Sequence, residues 1–398
     1  MLSVPIIPMA AAPQELFPDR CLWARHRGAA CTHCVDACPA GALVLADKEI
    51  VFDVEQCVGC GVCLVTCPVE AFETTAWSER NLVRAVEPLP HGASVEIVCR
   101  QHPAPQLTAE GASTVQVNAC LGALSPGLWF ELALSHRITV RLEACAECPY
   151  AGASRVVEQA VALAAEWQVS CERPVTLSVR KDAVASAPRR PQPVYRAEEI
   201  RRSRRELLFS FARSAGPPAQ ALACLPTAFQ TEEDARRAPP HQPAWLRRLA
   251  ALYARVAARG ASQGAPPARE PSPCFAANWP ALQVSAACTA CGSCARYCPS
   301  GALSTGRSGD VFEHRFVPGV CISCGLCALV CQPDAITRGY QTEETPFVER
   351  VVATRGVEAC CKCGGHSVAT ADGLCYWCAN EPPIRSVLEN AQRLFARR

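Results

Sequence analysis

Lysine is nearly absent from this chain. Lys48, Lys181 and Lys362 are the only lysines in 398 residues, so arginine carries the basic charge. An excess of either sign is missing too, since 39 Lys and Arg face 37 Asp and Glu for a net charge of +2. That balance gives no footing for nucleic acid or an anionic membrane surface as partner. No apolar run is long enough to span a bilayer. The opening residues, Met1-Leu-Ser-Val-Pro-Ile-Ile-Pro-Met-Ala10, lack a basic n-region and a twin-arginine leader, and prolines break their apolar stretch. A cytoplasmic location is expected, with export on a signal-bearing partner as the alternative. Also missing are a Walker loop, a G-x-G-x-x-G after a strand, and a serine or cysteine nucleophile in a recognisable setting. No site for flavin, nicotinamide or an organic substrate is evident, and no catalytic residue is assigned.

Cysteine, by contrast, is abundant, at 28 residues. The cysteines fall at metal-ligand spacings, which points to a reducing compartment and not to disulfides. The clearest run is Cys57-Val-Gly-Cys60-Gly-Val-Cys63-Leu-Val-Thr-Cys67-Pro68. Its C-x2-C-x2-C-x3-C-P spacing is the ligand run of a bacterial [4Fe–4S] ferredoxin. Three thiolates on one tight loop can reach three corners of a cubane, and Gly59 and Gly61 let that loop curl. In two-cluster proteins the fourth cysteine serves the other cluster, so a partner run is required.

That partner, Cys31-Thr-His-Cys34-Val-Asp-Ala-Cys38-Pro39, lacks its first cysteine, and Gly28 stands in its place. The nearest upstream cysteine is Cys21. The expected ligand sets are Cys21, Cys31, Cys34 and Cys67 for one cluster, and Cys38, Cys57, Cys60 and Cys63 for the other. The alternative is a three-ligand [3Fe–4S] site with Cys21 a bystander. His26 and His33 read as solvated loop residues. Ala42–Ala46 and Ile50–Phe52 predict a hairpin over the clusters. This first ferredoxin-like dicluster domain spans about 15–85.

Its plan repeats at 281–345. Cys288, Cys291, Cys294 and Cys298 form one full run, and Cys321, Cys324, Cys327 and Cys331 another, with Gln332 between the last cysteine and Pro333. Crossed ligation groups Cys288, Cys291, Cys294 and Cys331, and separately Cys298, Cys321, Cys324 and Cys327. Four [4Fe–4S] clusters are therefore expected in all.

Between these domains the pattern changes. Over 90–185, β-rich runs at Val95–Val98, Thr114–Val117, Ile138–Leu142 and Val175–Val179 alternate with helical spacing at Pro126–His136 and Ala153–Trp167. A small α/β domain with a mostly parallel sheet is predicted. Cys99, Cys120 and Cys145 follow successive strands, and Cys148 comes three residues later. In open α/β sheets, sites gather at the carboxyl ends of strands. A [2Fe–2S] cluster on these four thiols is the expected occupant; ordinary buried cysteines are the alternative. The segment resembles the iron–sulfur domain of the delta subunit of methyl-viologen-reducing hydrogenases, through strand-following cysteines and Cys145-Ala-Glu-Cys148-Pro-Tyr150-Ala-Gly. It departs at Cys99-Arg-Gln-His102, where that family tends to have a second cysteine.

Residues 186–280 read as a Pro/Arg-rich helical linker. Arg196–Ser214 predicts a basic helix, and Trp245, Leu246, Leu249, Leu252, Tyr253 and Val256 mark one apolar face of a second. Ser186–Pro193 and Ala261–Pro273 read as linkers, and Cys171, Cys224 and Cys274 as structural. At 355–398 the pairs Cys360-x2-Cys363 and Cys375-x2-Cys378 form two opposed hooks, a zinc-ribbon-like knuckle with structural zinc expected. Rubredoxin-like iron is the alternative, and Cys361 and His366 are substitute ligands. A terminal helix is predicted from Pro383 to Arg398.

The fold class expected is thus multi-domain α+β. The chain resembles bacterial multi-cluster ferredoxin-type proteins, through its two eight-cysteine domains. Its displaced Cys21, cysteine-bearing α/β segment and terminal ribbon resemble the [4Fe–4S] proteins associated with molybdenum formate dehydrogenases. Those resemblances imply an electron-transfer protein or subunit serving redox partner proteins, of formate dehydrogenase or hydrogenase systems. The alternative is a maturation factor for such an enzyme. No helix-turn-helix or basic groove supports DNA binding.

Overall fold

The computed structural model describes residues 14–26, 28–46, 49–148, 150–170, 173–182, 194–197, 240–262, 278–342 and 345–380. Outside these lie Cys171, Cys224 and Cys274, most of the expected basic helix, and the 383–398 tail. The chain divides into two compact units, Met1–Ala277 and Asn278–Arg398.

In the first unit, β1 (Glu15–Leu16) leads into a 3-10 turn and then α1 (Leu22–Arg25). Next come α2 (His33–Ala37), the hairpin strands β2 (Leu43–Ala46) and β3 (Glu49–Phe52), α3 (Val62–Thr66) and β4 (Phe72–Glu73). The hairpin is antiparallel, with Leu43 opposite Phe52 and Leu45 opposite Ile50. Its alternation turns Leu45 and Ile50 toward the Cys21 cavity, while Val44 and Val51 face outward. Strand β1 pairs antiparallel with β4, Leu16 against Phe72.

After α4 (Glu79–Val86) come β5 (Ser94–Val98), β6 (Ala112–Val117), α5 (Pro126–Ala133), β7 (Arg137–Arg141), α6 (Ala153–Ser170), β8 (Leu177–Arg180) and β9 (Val194–Ala197). The sheet order is β8-β7-β5-β6-β9, and every pairing is parallel. Central strands of such a sheet are buried on both faces, which explains the near-continuous apolar run Val95, Ile97 and Val98. Ser78 caps α4, accepting from Arg80 N at 3.3 Å. Ser125 caps α5, accepting from Leu128 N at 3.3 Å, with Pro126 in the first turn.

One expectation needs correction. Arg196, read as the start of a basic helix in the linker, lies in β9, which pairs with Thr114–Val117. The sheet therefore reaches beyond 185. The second linker helix runs Ala244–Ser262, past the expected linker start at Ala261, with Leu246, Leu249 and Leu252 buried. Its N-terminus is anchored by Glu70, which accepts from Ala244 N at 3.1 Å and pairs with His241 at 2.9 Å. Arg248 pairs with Glu79 and with Glu131. That helix is thus packed into the first unit.

In the second unit, β10 (Asn278–Val284) pairs antiparallel with β13 (Ile336–Thr342), while β11 (Leu303–Ser308), β12 (Val311–Phe316) and β14 (Arg350–Gly356) form a three-stranded sheet. Its small core joins Leu282, Leu303, Phe316 and Ile336 to the cluster cysteines. Strand β14 leads straight into the terminal cysteine hooks. Val357 N donates to Asp310 O at 2.8 Å, and Val368 N donates to Thr289 O at 3.3 Å. Among the described residues, no helix is long and apolar enough to cross a membrane.

Candidate iron–sulfur and metal sites

Cys21, Cys31, Cys34 and Cys67 line one cavity, roofed by Leu45, Ile50 and Phe72. The nine residues between Cys21 and Cys31 are bridged by tertiary structure. The β1–β4 ladder sets the Pro18–Arg20 turn beside the Cys67–Phe72 segment. Arg20 then fastens it, stacking 4.2 Å over Phe17, donating to Glu70 O at 3.1 Å and pairing with Glu73. The backbone at Cys21 donates to Pro18 O at 2.9 Å. His33 is exposed, as expected of a solvated residue, and it edges the same cavity with Nδ1 3.4 Å from Cys31 Sγ. Burial, then the charges of Cys67, Cys21 and Cys31, push the Cys34 thiol up to about 12. Four thiolates brought together here would need compensating positive charge, which an iron–sulfur cluster held by Cys21, Cys31, Cys34 and Cys67 would supply.

Cys38, Cys57, Cys60 and Cys63 form the adjoining site. Burial pushes Cys60 up to about 11, and Cys38 and Cys57 add to it. Cys63 is raised by burial and by Cys60, Cys57, Cys34 and Cys38, so it faces both sets. Gly61 begins α3 in the left-handed region at φ 72°, a conformation costly for any other residue.

The second unit repeats the turn that closes this construction. Ala71 N donates to Cys67 Sγ at 3.2 Å, and Ala335 N donates to Cys331 Sγ at 3.2 Å. Glu70 and Asp334, each just before that donor, share a left-handed φ of 51° and 50°. Gln332 occupies the place of Pro68 without changing the turn. Cys288, Cys291, Cys294 and Cys331 line one cavity together with His314. His314 is buried, its Nε2 3.7 Å from Cys288 Sγ, and its Nδ1 has no hydrogen-bond partner. Burial and the nearby Arg355 charge pull it down to about 4, so it is neutral. Cys298, Cys321, Cys324 and Cys327 line a larger cavity of about 230 Å³, edged by Arg338 and Tyr340.

Cys99, Cys120, Cys145 and Cys148 do come together at the carboxyl edge of the parallel sheet. Cys99 is raised by burial and by Cys148. Cys145 is pushed up to about 12 by burial, then by Cys99 and Cys148. Cys120 is raised by burial and by Cys60, Cys99 and Cys145. Sequence reasoning missed the charged network beside them. Arg141 donates to Glu143 at 2.7 Å, to Glu96 at 3.2 Å and to Leu107 O at 2.8 Å. Arg180 forks onto Glu96 at 2.7 and 3.0 Å. His102 turns both ring nitrogens into this network: Nδ1 accepts from Ala104 N at 3.2 Å, and Nε2 lies 3.2 Å from Arg141 and 3.4 Å from Glu143. Glu96 inside Val95–Val98 and Arg141 inside Ile138–Leu142 were the available signal. A charge within a strand buried on both faces needs a partner.

At the C-terminal hooks the sulfurs of Cys360, Cys363, Cys375 and Cys378 all lie within 4.8 Å of one another, the one such group among the described residues. Backbone N–H groups aim at the sulfurs: Cys375 N at 3.2 Å from Cys360 Sγ, and Cys378 N at 3.4 Å from Cys375 Sγ. The backbone N–H groups of Cys363, then Cys375 and Lys362, pull the Cys360 thiol down to about 6, which suits a metal thiolate. Cys361 instead donates to Asp372 O at 3.6 Å, and His366 lies in a short strand paired with Ala359. The compact four-thiol set fits one tetrahedral ion; the ferredoxin-type quartets fit the wider clusters.

Comparison with known proteins bears on the two dicluster domains. The chain spans about half the length of the curated relatives it matches. A ferredoxin from Rickettsia felis is 35% identical over 54 residues, covering 12% of this chain and 50% of that protein. The pyruvate synthase subunit PorD of Methanothermobacter marburgensis is 42% identical over 43 residues, covering 11% of this chain and 49% of that protein. The 4Fe-4S dicluster domain family matches twice, at residues 29–71 and 287–335, so this chain carries two iron–sulfur dicluster domains of ferredoxin type.

Proposed function

We propose that the chain is an electron-transfer protein that relays single electrons between redox partner proteins. Four [4Fe–4S] clusters, a [2Fe–2S] cluster on Cys99, Cys120, Cys145 and Cys148, and a structural zinc on the C-terminal hooks are its complement. The observation that carries this reading is the duplicated ligand turn, with Ala71 and Ala335 donating to Cys67 and Cys331 at the same distance. Bound clusters supply one-electron chemistry, at potentials of roughly −700 to +450 mV for such centres generally. The chain's own residues set the conditions. Leu45, Ile50 and Phe72 exclude water from one site, and backbone N–H donors and His314 reach the sulfurs at others. The reducing cytoplasm suits so many free thiols. The resemblances of sequence suggest a formate dehydrogenase or hydrogenase system as partner. A subunit should co-purify with its enzyme at a fixed ratio, whereas a maturation factor should leave it.

Anaerobic purification with iron, sulfide and zinc counts, plus low-temperature EPR, tests the complement. Roughly sixteen to eighteen iron atoms and one zinc per chain are expected. About eight iron atoms in fully reconstituted protein would sink the four-cluster proposal.

A further inference from the structure

We infer that the first dicluster domain and the α/β domain form one continuous redox unit, joined where Cys120 packs against the buried cluster of Cys60, Val62, Ala153 and Val156. A centre held by Cys38, Cys57, Cys60 and Cys63 is thereby electronically coupled to a centre held by the middle quartet. This rests on the proposal that both quartets hold clusters.

The junction is dry and built from the ligands' own chain neighbours. Cys60, Val62, Ala153 and Val156 form one buried apolar cluster, with Ala37, Val58 and Cys120 packed against it. Ala37 precedes Cys38, Val58 follows Cys57, and Val62 precedes Cys63. The contact therefore gathers the backbone around all four ligands of that site against a ligand of the middle quartet. Low polarity and close packing are the conditions under which neighbouring centres sense each other most strongly.

Small residues on both sides permit the approach. A Cβ on Gly61 would lie 2.6 Å from Ala123 Cβ, and one on Gly122 would lie 3.0 Å from Val62 Cγ2 and 3.2 Å from Ala153 Cβ. Gly122 and Ala123 belong to the turn that Cys120 opens, where Ala123 N donates to Cys120 O at 3.1 Å. The internal repeat serves as control. Gly325 holds the place of Gly61 in the second dicluster domain, with the same left-handed backbone. There the atoms nearest a Cβ belong to the tip of the Arg338 side chain, at 3.2 Å. The corresponding quartet borders the 230 Å³ cavity. The close approach is thus not a general need of the ferredoxin loop. It is specific to the loop that faces Cys120.

Pulsed EPR on the full chain, purified anaerobically and reduced with dithionite, tests this. The spin relaxation of the middle centre is measured in the native protein and in Cys57→Ser, which disrupts the neighbouring site. Relaxation in the variant is expected to slow several-fold. The same comparison is made within the native protein, poised so that the neighbouring centre is first oxidised and then reduced, which guards against a misfolded variant. A middle centre that is present but relaxes identically in both comparisons overturns the coupling alone. Iron counts and spectra showing no centre on Cys99, Cys120, Cys145 and Cys148 overturn the middle-cluster proposal, and the coupling with it.

Discussion

Substituting Arg141 by methionine removes the hub of the buried charge network while keeping side-chain bulk. The Arg141 side chain is 1% exposed and that of Glu96 3%. The donated bonds to Glu143, Glu96, Leu107 O and Ala104 O disappear. Breaking a buried ion pair from one side costs about 3–5 kcal/mol, because the surviving charge stays out of water. Arg180 remains on Glu96, with its side chain 17% exposed, and keeps that carboxylate paired. The lower end, about 3 kcal/mol, is therefore expected. A chain with several domains and clusters does not unfold in one step, so a bulk melting curve is the wrong measure. Native-state hydrogen exchange reads the sheet directly. Amides of Val95–Val98 and Ile138–Arg141 should exchange roughly 150-fold faster in the variant, at 1.36 kcal/mol per factor of ten. Arg141→Lys keeps the charge but loses the planar fork, and should fall between the variant and the native protein. Acceleration below about tenfold in Arg141→Met would refute the claim that the network holds the strand ends together.

Cys21→Ser should remove about four iron atoms and one EPR signal, leaving the other centres intact; an unchanged spectrum would favour the three-ligand site. His314→Leu removes a donor from Cys288 Sγ and should lower the reduction potential of one centre in a redox titration, with His314→Gln restoring part of it; equal potentials would show that His314 only fills space. Gly61→Ala forces a left-handed alanine against Ala123 and should cost at least about 1–2 kcal/mol by hydrogen exchange, more than Gly325→Ala, whose neighbour is a movable arginine tip.

The grouping of the cysteines was legible because most of them come from short loops, where spacing sets which thiols can converge. The hairpin and the strand-following cysteines were legible for a similar reason: alternation and chain order are local properties. Cys21 sat at the limit of that logic, ten residues from its neighbour, and only the β1–β4 ladder shows how it reaches the others. What escaped is tertiary. Arg196 sits in an arginine-rich run that reads as helix, yet its backbone completes an edge of the parallel sheet. His102 stands where a resembling family has cysteine, but its ring serves the charge network. The burial of Leu246, Leu249 and Leu252 follows from an apolar face, whereas its docking onto Glu70 and Glu79 does not.

The bond from Val368 N to Thr289 O ties the C-terminal hooks to the loop between Cys288 and Cys291. A backbone hydrogen bond thus links the two groups of cysteines. Any order that a metal on the hooks lends to Thr289, cluster insertion at Cys288 must return to the hooks in equal measure, because linkage is reciprocal. Leaving either site empty would then weaken loading of the other.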